Sequence, residues 1–165
     1  MVVPAIPIAA ADGGFTHIPD RCFGYAVRAA SRAVTRAYDA ALRPVGLRLT
    51  QLGLLVAIAM NRGTSIAALS SALTIEASAV SRNLGPLQRA GLIEWTGAGG
   101  RAGKHVMLTD KGRARLRIAL EAWGRVQHTF HRFLGDGSEH SVRAELKRLE
   151  AAARRAEQQF AEIPE

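Results

Sequence analysis

The chain contains 165 residues, of which 48% are apolar, and it carries a formal net charge of +8 at pH 7. The length fits one domain with a hydrophobic core, and the apolar content excludes an intrinsically disordered chain. The isoelectric point near 10.9 favours a polyanionic partner, because lysine and arginine at phosphates release condensed counterions. Composition alone leaves a ribosomal or membrane-surface protein open, so the distribution of the charge matters more than its sum.

The basic side chains are concentrated in the second half of the chain, but not at its end. Residues 95–125 contain seven basic and two acidic side chains, whereas residues 138–165 contain five basic and six acidic ones. The C-terminal part is therefore balanced, and the positive charge belongs to the segment before it.

The sequence predicts neither a membrane protein nor a secreted one. No stretch reaches the ~18–20 uninterrupted apolar residues of a membrane helix. Pro4 and Pro7 interrupt an N-terminus that lacks a basic region, so no signal peptide is predicted. One cysteine cannot form an intrachain disulfide, and a reducing cytoplasm is the expected location.

A flexible or extended arm is predicted over residues 1–19, followed by a long helix over residues 20–42. Pro44 and Gly46 are expected to end this helix. Its apolar residues recur at steps of three and four, and they are Phe23, Val27, Ala30, Val34, Ala37 and Ala41.

Three shorter helices are predicted next. Thr50 is expected to cap the first of them, and Ser65 the second. The third is predicted over residues 76–90, where Gly91 supplies the positive φ that often follows a helix C-terminus. The apolar residues expected to face inward are Leu52, Leu55, Ile58 and Ala59 in the first of these helices, and Val80, Leu84 and Leu87 in the third.

Two short strands are predicted at residues 92–95 and 104–108, on either side of a glycine-rich basic loop. Thr109 and Ser138 are expected to cap two final helices, which the turn at residues 135–137 separates. Helix, turn, helix and hairpin in this order predict a winged helix-turn-helix. In that motif the second helix enters the DNA major groove and the hairpin loop, or wing, reaches the neighbouring backbone.

The outward face of the helix over residues 76–90 carries residue types that contact DNA. Serine hydroxyls bind phosphates or base edges, and arginine can bind guanine through two hydrogen bonds. The candidate DNA-binding residues are Ser78, Ser81, Arg82, Asn83 and Arg89 on this helix, together with Arg101 and Lys104 on the wing. An ordinary solvated surface is the alternative for each of them, and the surrounding motif favours DNA contact.

Three stretches resemble a MarR-type transcriptional regulator: AYDAALRPVGLRLTQLGLL, SAVSRNLGPLQRAGLIE and VMLTDKGRARL. The resemblance covers roughly residues 20–160 and implies a mainly α fold with a small β-hairpin wing. It implies a winged helix-turn-helix lobe over about 48–110, carried by dimerisation helices over about 20–43 and 110–160. Members of this family form dimers, usually repress nearby genes, and leave their DNA when a small molecule, a metal or an oxidant acts on them.

The wing departs from the family pattern. Members often carry Asp-x-Arg before the second wing strand, but the matching positions here are Gly100, Arg101 and Ala102. The aspartate is missing and the arginine lies one position early. Contacts of the wing with the minor groove are therefore less firmly predicted than those of the recognition helix.

Two features of the first helix have alternative interpretations. Arg28, Arg32 and Arg36 form either a solvated stripe or, given the resemblance, part of a pocket for an anionic effector. Cys22 stands at the start of the same helix, where peroxide-sensing relatives place a reactive cysteine close by. Those relatives support it with tyrosines in the second helix, which has none here, so a passive cysteine is the favoured interpretation.

No catalytic, metal or cofactor site is predicted. His128 and His131 lie one helical turn apart, but no carboxylate or cysteine nearby in the sequence completes a metal site. The chain also lacks a nucleophile–base signature, a phosphate-binding loop and a paired-carboxylate motif, so an enzyme is not expected.

The sequence therefore predicts a sequence-specific transcriptional regulator, a homodimer that binds a pseudo-palindromic operator in double-stranded DNA as a repressor and is released by a small-molecule effector. The alternatives are an architectural DNA-binding protein and a thiol-based oxidant sensor acting through Cys22. A winged helix used only for protein contact is disfavoured by the basic wing.

Overall fold

A computed structural model describes residues 21–61, 63–97 and 104–161 of the chain. Its elements, in chain order, are α1 (Phe23–Leu42), a 3-10 turn (Arg43–Val45), α2 (Leu49–Met60), α3 (Ile66–Leu73), α4 (Ala77–Arg89), β1 (Ile93–Thr96), β2 (His105–Leu108), α5 (Asp110–Leu134) and α6 (Ser138–Ala161). The residues form two compact units that divide between Ala119 and Leu120. The predicted fold class, mainly α with a small β-hairpin wing, is confirmed.

The core of the first unit is built around α2. This helix contacts α1, α3, α4 and β2, which is why an almost wholly apolar segment can be helical and buried on most sides. Leu55 and Ile58 of α2 expose at most 2% of their surface, and α1 contributes the buried Leu42. Ala59, which was predicted to face inward, is exposed because it lies on the outer side of the last turn of α2.

Most of the predicted helix ends are confirmed by their hydrogen bonds. The Ser65 hydroxyl accepts a hydrogen bond from the Ala68 N–H at 3.1 Å, which caps α3. Gly91 adopts a φ of 69° after α4, and the Leu92 N–H donates to the Leu87 carbonyl at 3.0 Å. This pattern closes the helix C-terminus as the glycine predicts.

The prediction that Thr50 caps α2 is wrong. The helix begins at Leu49, whose N–H donates to Asp39 Oδ1 at 2.8 Å, and the Arg48 N–H donates to Gln51 Oε1 at 3.0 Å. Asp39 belongs to α1, ten residues earlier in the sequence. Because this carboxylate satisfies the first N–H of the helix, Thr50 is placed inside the first turn.

The start of α5 is fixed against the end of α4. Thr109 donates its hydroxyl hydrogen to the Gly91 carbonyl at 2.7 Å and accepts a hydrogen bond from the Gly112 N–H at 3.0 Å. Gly112 lies so close that a Cβ placed there would stand 1.9 Å from the Leu92 carbonyl oxygen. Only glycine permits this approach of the helix to the turn.

The hairpin is a short antiparallel ladder with Ile93 opposite Leu108 and Thr96 opposite His105. Val106 extends the ladder, since its N–H donates to the Thr64 carbonyl at 2.8 Å. The hairpin is thereby hydrogen-bonded to the segment that leads into α3. The predicted wing tip, residues 98–103, lies outside the described residues.

Several large apolar side chains of the long helices are exposed. Phe23 and Val34 of α1 expose 73% and 41% of their surface, and α6 has no buried residue. On α6 the exposed side chains include Leu146 and Phe160, at 53% and 68%. These helices have apolar faces that the described chain does not cover.

No single helix among the described residues is long and apolar enough to cross a membrane. One pair, Phe23–Val45 with Leu49–Met60, reaches that length and composition only jointly, across a bend of 73°.

Candidate DNA-binding surface

Helix α4 has two chemically different faces. Val80, Leu84 and Leu87 expose at most 2% of their surface, and α4 packs against α2 and α3. On the opposite side the predicted DNA-binding residues Ser78, Ser81, Arg82 and Arg89 are all exposed. Because its apolar face is packed against the lobe, α4 presents serine hydroxyls and arginine guanidinium groups to the solvent.

The turn between α3 and α4 is closed by backbone geometry that the sequence did not reveal. Thr74 adopts φ 53° and ψ 46°, a left-handed conformation that is uncommon for a residue other than glycine. Two hydrogen bonds support it: the Ile75 N–H donates to the Ser70 carbonyl at 3.1 Å, and the Ser70 hydroxyl donates to the Ile75 carbonyl at 2.6 Å. They set the direction in which α4 leaves the turn.

This turn and α4 enclose a surface depression, here called the turn concavity. It is lined by Ser70, Ser71, Thr74, Ile75, Glu76, Ser78, Ala79 and Arg82. Two of the predicted DNA-binding residues, Ser78 and Arg82, therefore share one concave surface with the hydroxyls of the turn. The acidic member, Glu76, was not singled out from the sequence.

Asn83 occupies a different position from the other candidates on α4. Its side chain is partly buried, and its Nδ2 donates to the Ala79 carbonyl at 2.9 Å. Its Oδ1 lies 3.5 Å from the Thr50 hydroxyl of α2. Asn83 thus makes contacts within the lobe, and its role at the DNA surface stays a prediction.

The C-terminal end of α4 is linked to the hairpin. The Trp95 indole N–H donates to Gln88 Oε1 at 3.1 Å, which joins β1 to the recognition helix. Arg89 runs back along α4, with its Nη1 3.5 Å from where a Cβ of Gly85 would stand. The small residue at position 85 leaves room for this guanidinium on the outer face.

On the wing, Lys104 is exposed immediately before β2. Arg101 lies outside the described residues, so the predicted contact of the wing tip stays a prediction.

The predicted effector and redox residues lie on α1. Arg28, Arg32 and Arg36 are exposed, and Cys22 is an exposed free thiol at the N-terminal boundary of the helix. A second depression lies at the C-terminal end of α1 and contains none of the three arginines. It is lined by Asp39, Arg43, Gly46, Leu47, Arg48 and Gln51. The effector role of the arginine stripe is therefore still a prediction.

The histidines of α5 do not form a metal cluster within the described ranges, where no group of three metal-ligating side chains comes together. His131 instead lies 3.2 Å from Glu139 Oε2 of α6, at the corner between the two helices.

These features define a winged helix-turn-helix protein. Its recognition helix α4 has an exposed polar face, follows a hydrogen-bonded turn, and is joined at its C-terminal end to the β-hairpin. A family model described as the MarR family matches residues 45–102. The chain is 33% identical to the transcriptional regulator MosR of M. tuberculosis, with 82% of this chain and 98% of MosR covered and a TM-score of 0.71. The chain belongs to the MarR family of transcriptional regulators, which are not enzymes.

Two further solved structures are similar. The transcriptional repressor CouR, bound to a 23-mer DNA duplex, is 25% identical, with 81% of this chain and 95% of CouR covered and a TM-score of 0.73. A cysteine-to-serine mutant of MarR from E. coli, complexed with operator DNA, is 18% identical, with coverages of 81% and 96% and a TM-score of 0.72, which shows a shared fold. No match was found among curated protein sequences.

Proposed function

We propose that this regulator is a homodimeric repressor that binds a pseudo-palindromic operator and places α4 of each subunit in the major groove. The observation that carries the proposal is the division of α4 into a buried apolar face and an exposed face with Ser78, Ser81 and Arg82. Structures of MosR and CouR in complex with DNA support it, since both relatives share the fold over four fifths of this chain.

The dimer is supported by apolar surface that the single chain leaves open. Helix α6 has 24 residues and none of them is buried, although Leu146 and Phe160 carry large apolar side chains. Trp123 on α5 and Val34 on α1 are exposed as well. Apolar area of this extent is expected to be covered by another chain, and the 2-fold symmetry of a homodimer matches a pseudo-palindrome.

Release by a small molecule is the second part of the proposal. CouR has also been solved bound to p-coumaroyl-CoA, at 25% identity to this chain. The exposed stripe of Arg28, Arg32 and Arg36 on α1 suits an anionic effector, because guanidinium groups bind carboxylates and phosphates through paired hydrogen bonds. The regulator acts in the cytoplasm, where its DNA is.

The decisive experiment selects sequences from a pool of randomised duplexes with the purified protein. The selected duplex and a scrambled duplex of equal length are then compared at physiological salt. A specific regulator binds the selected duplex ~10³-fold or more tightly. Equal affinity for both duplexes would favour the alternative, an architectural protein that coats DNA without reading its sequence.

The thiol-sensor alternative is tested with Cys22→Ser. A reactive cysteine needs neighbours that lower its proton affinity and stabilise its oxidised form, and no hydrogen bond is found for this thiol within the described residues. Wild type and variant should therefore both stay bound to the selected duplex at micromolar cumene hydroperoxide. Release of the wild type alone at micromolar peroxide would make Cys22 the sensor in place of a small-molecule pocket.

A further inference from the structure

The DNA-facing surface includes an acidic side chain. Glu76 is exposed, immediately precedes α4, and lines the turn concavity together with Ser78 and Arg82. An acidic group at this place is unfavourable for binding to phosphates in general, because it repels the polyanion that the basic residues attract.

The backbone of Glu76 is held firmly while its carboxylate is not engaged. Its carbonyl accepts hydrogen bonds from the N–H groups of Ala79 and Val80, at 2.9 and 3.0 Å. The carboxylate does not cap α4, and it forms no ion pair with a basic side chain among the described residues, Arg82 included. A fixed backbone and an unengaged carboxylate leave the side chain available to a ligand.

The chemistry of the groove restricts what that ligand can be. An ionised carboxylate only accepts hydrogen bonds, and in the major groove glutamate pairs with the N4 amino group of cytosine. The first residues of a recognition helix are those that contact base edges. Glu76 stands at the N-cap position of α4, and Arg82, six residues further along, lines the same turn concavity.

Building on the proposed function, we infer that Glu76 is a specificity-determining residue that accepts a hydrogen bond from a cytosine amino group in each half-site. Arg82, six residues further along, binds a guanine in the same half-site. A rise of ~1.5 Å per residue separates the two side chains by about 9 Å along the helix axis. The cytosine and the guanine are therefore expected at different base pairs of the half-site.

The inference is tested by repeating the duplex selection with Glu76→Gln and with Glu157→Gln. The control removes the same charge from an exposed residue of α6, in the other compact unit. We expect Glu76→Gln alone to lose the preference for cytosine at one position of each half-site, where adenine becomes acceptable because glutamine pairs with adenine. Replacing that cytosine in the wild-type operator should weaken wild-type binding ~5- to 150-fold and change binding of Glu76→Gln less than ~3-fold.

Three outcomes would overturn the inference in different ways. Identical base preferences for wild type and Glu76→Gln mean that the carboxylate reads no base. A uniform gain in affinity for all duplexes, with preferences unchanged, makes Glu76 a purely electrostatic brake. A wild-type protein that enriches no sequence contradicts the proposed function itself, and this outcome is recognised before any variant is made. Thermal unfolding of both variants confirms that they are folded.

Discussion

The two compact units differ in how much of their apolar surface they bury. In the first unit Leu42 and Leu55 expose none of their surface, and α2 is covered on most sides by its neighbours. In the second unit α6 buries no residue at all, although its apolar side chains recur at helical spacing. The same periodic pattern thus builds a core within one chain in the first unit, and in the second it leaves an apolar surface that we propose a second copy of the chain covers.

The largest effect is expected from a substitution in the core of the lobe. Leu84→Ala removes a side chain that is 2% exposed on the inner face of α4, and it should lower the free energy of unfolding by ~2–5 kcal/mol. Chemical denaturation at several protein concentrations measures the decrease. We expect the same decrease at each concentration, because the cavity lies within one chain.

The matched change on the other surface is Leu146→Arg on α6, where the leucine is 53% exposed. We expect wild type to sediment at about twice its chain mass of 17.7 kDa at micromolar concentration. The variant should raise the dimer dissociation constant at least ~30-fold, equivalent to ~2 kcal/mol, because a charge would replace an interface anchor.

Gln158→Arg is the control for this change, since it adds the same charge to an exposed polar position of α6. It should leave the dimer intact. A wild-type protein that sediments as a monomer would contradict the interpretation of the second unit as an interface.

The outer face of α4 is probed by Arg82→Ala. If its guanidinium binds a guanine, affinity for the selected operator should fall by ~1–3 kcal/mol and preference should be relaxed at one base position. Contact with phosphate alone would instead weaken binding to all sequences alike and reduce the salt dependence. Arg117→Ala is the control, because Arg117 is an exposed arginine of α5. Unchanged binding by folded Arg82→Ala would remove this residue from the interface.

The smallest effect is expected at the wing. Arg101→Ala combined with Lys104→Ala should reduce the slope of log K against log salt by up to about 1.8, or ~0.9 for each phosphate that is no longer neutralised. The melting temperature should stay the same. Lys147→Ala with Arg155→Ala removes equal charge from α6 and should leave the slope unchanged. An unchanged slope in the wing variant would mean that a wing without the family's aspartate does not contact DNA.

Local signals in the sequence were sufficient for most of the lobe. Ser65 and Gly91 act close to their own positions, and Thr109 caps α5 through the Gly112 N–H three residues away, so their roles as caps followed from residue type and order. The alternating faces of α4 were equally predictable, because helical periodicity places Val80 and Ser78 on different sides.

Features that depend on distant residues were not predictable. The residue type of Thr50 suits a helix cap, but the carboxylate of Asp39 accepts the hydrogen bond from the Leu49 N–H instead. Asp39 lies ten positions before Leu49, so no local pattern predicts this contact. The close approach of Gly112 to the Leu92 carbonyl depends on how α5 meets a turn twenty residues earlier. Thr74 takes a left-handed conformation without being glycine, and the acidic Glu76 joined the candidate surface only once the turn was formed.

In the proposed complex, two copies of α4, one from each subunit, contact the two half-sites of one operator. Hydroxyl-radical footprinting of the wild-type protein on its selected duplex tests it most directly. We expect two protected clusters related by 2-fold symmetry, with their centres one helical turn apart, or ~10–10.5 base pairs, or a multiple of that spacing. A single protected cluster, or uniform protection along the duplex, would contradict it.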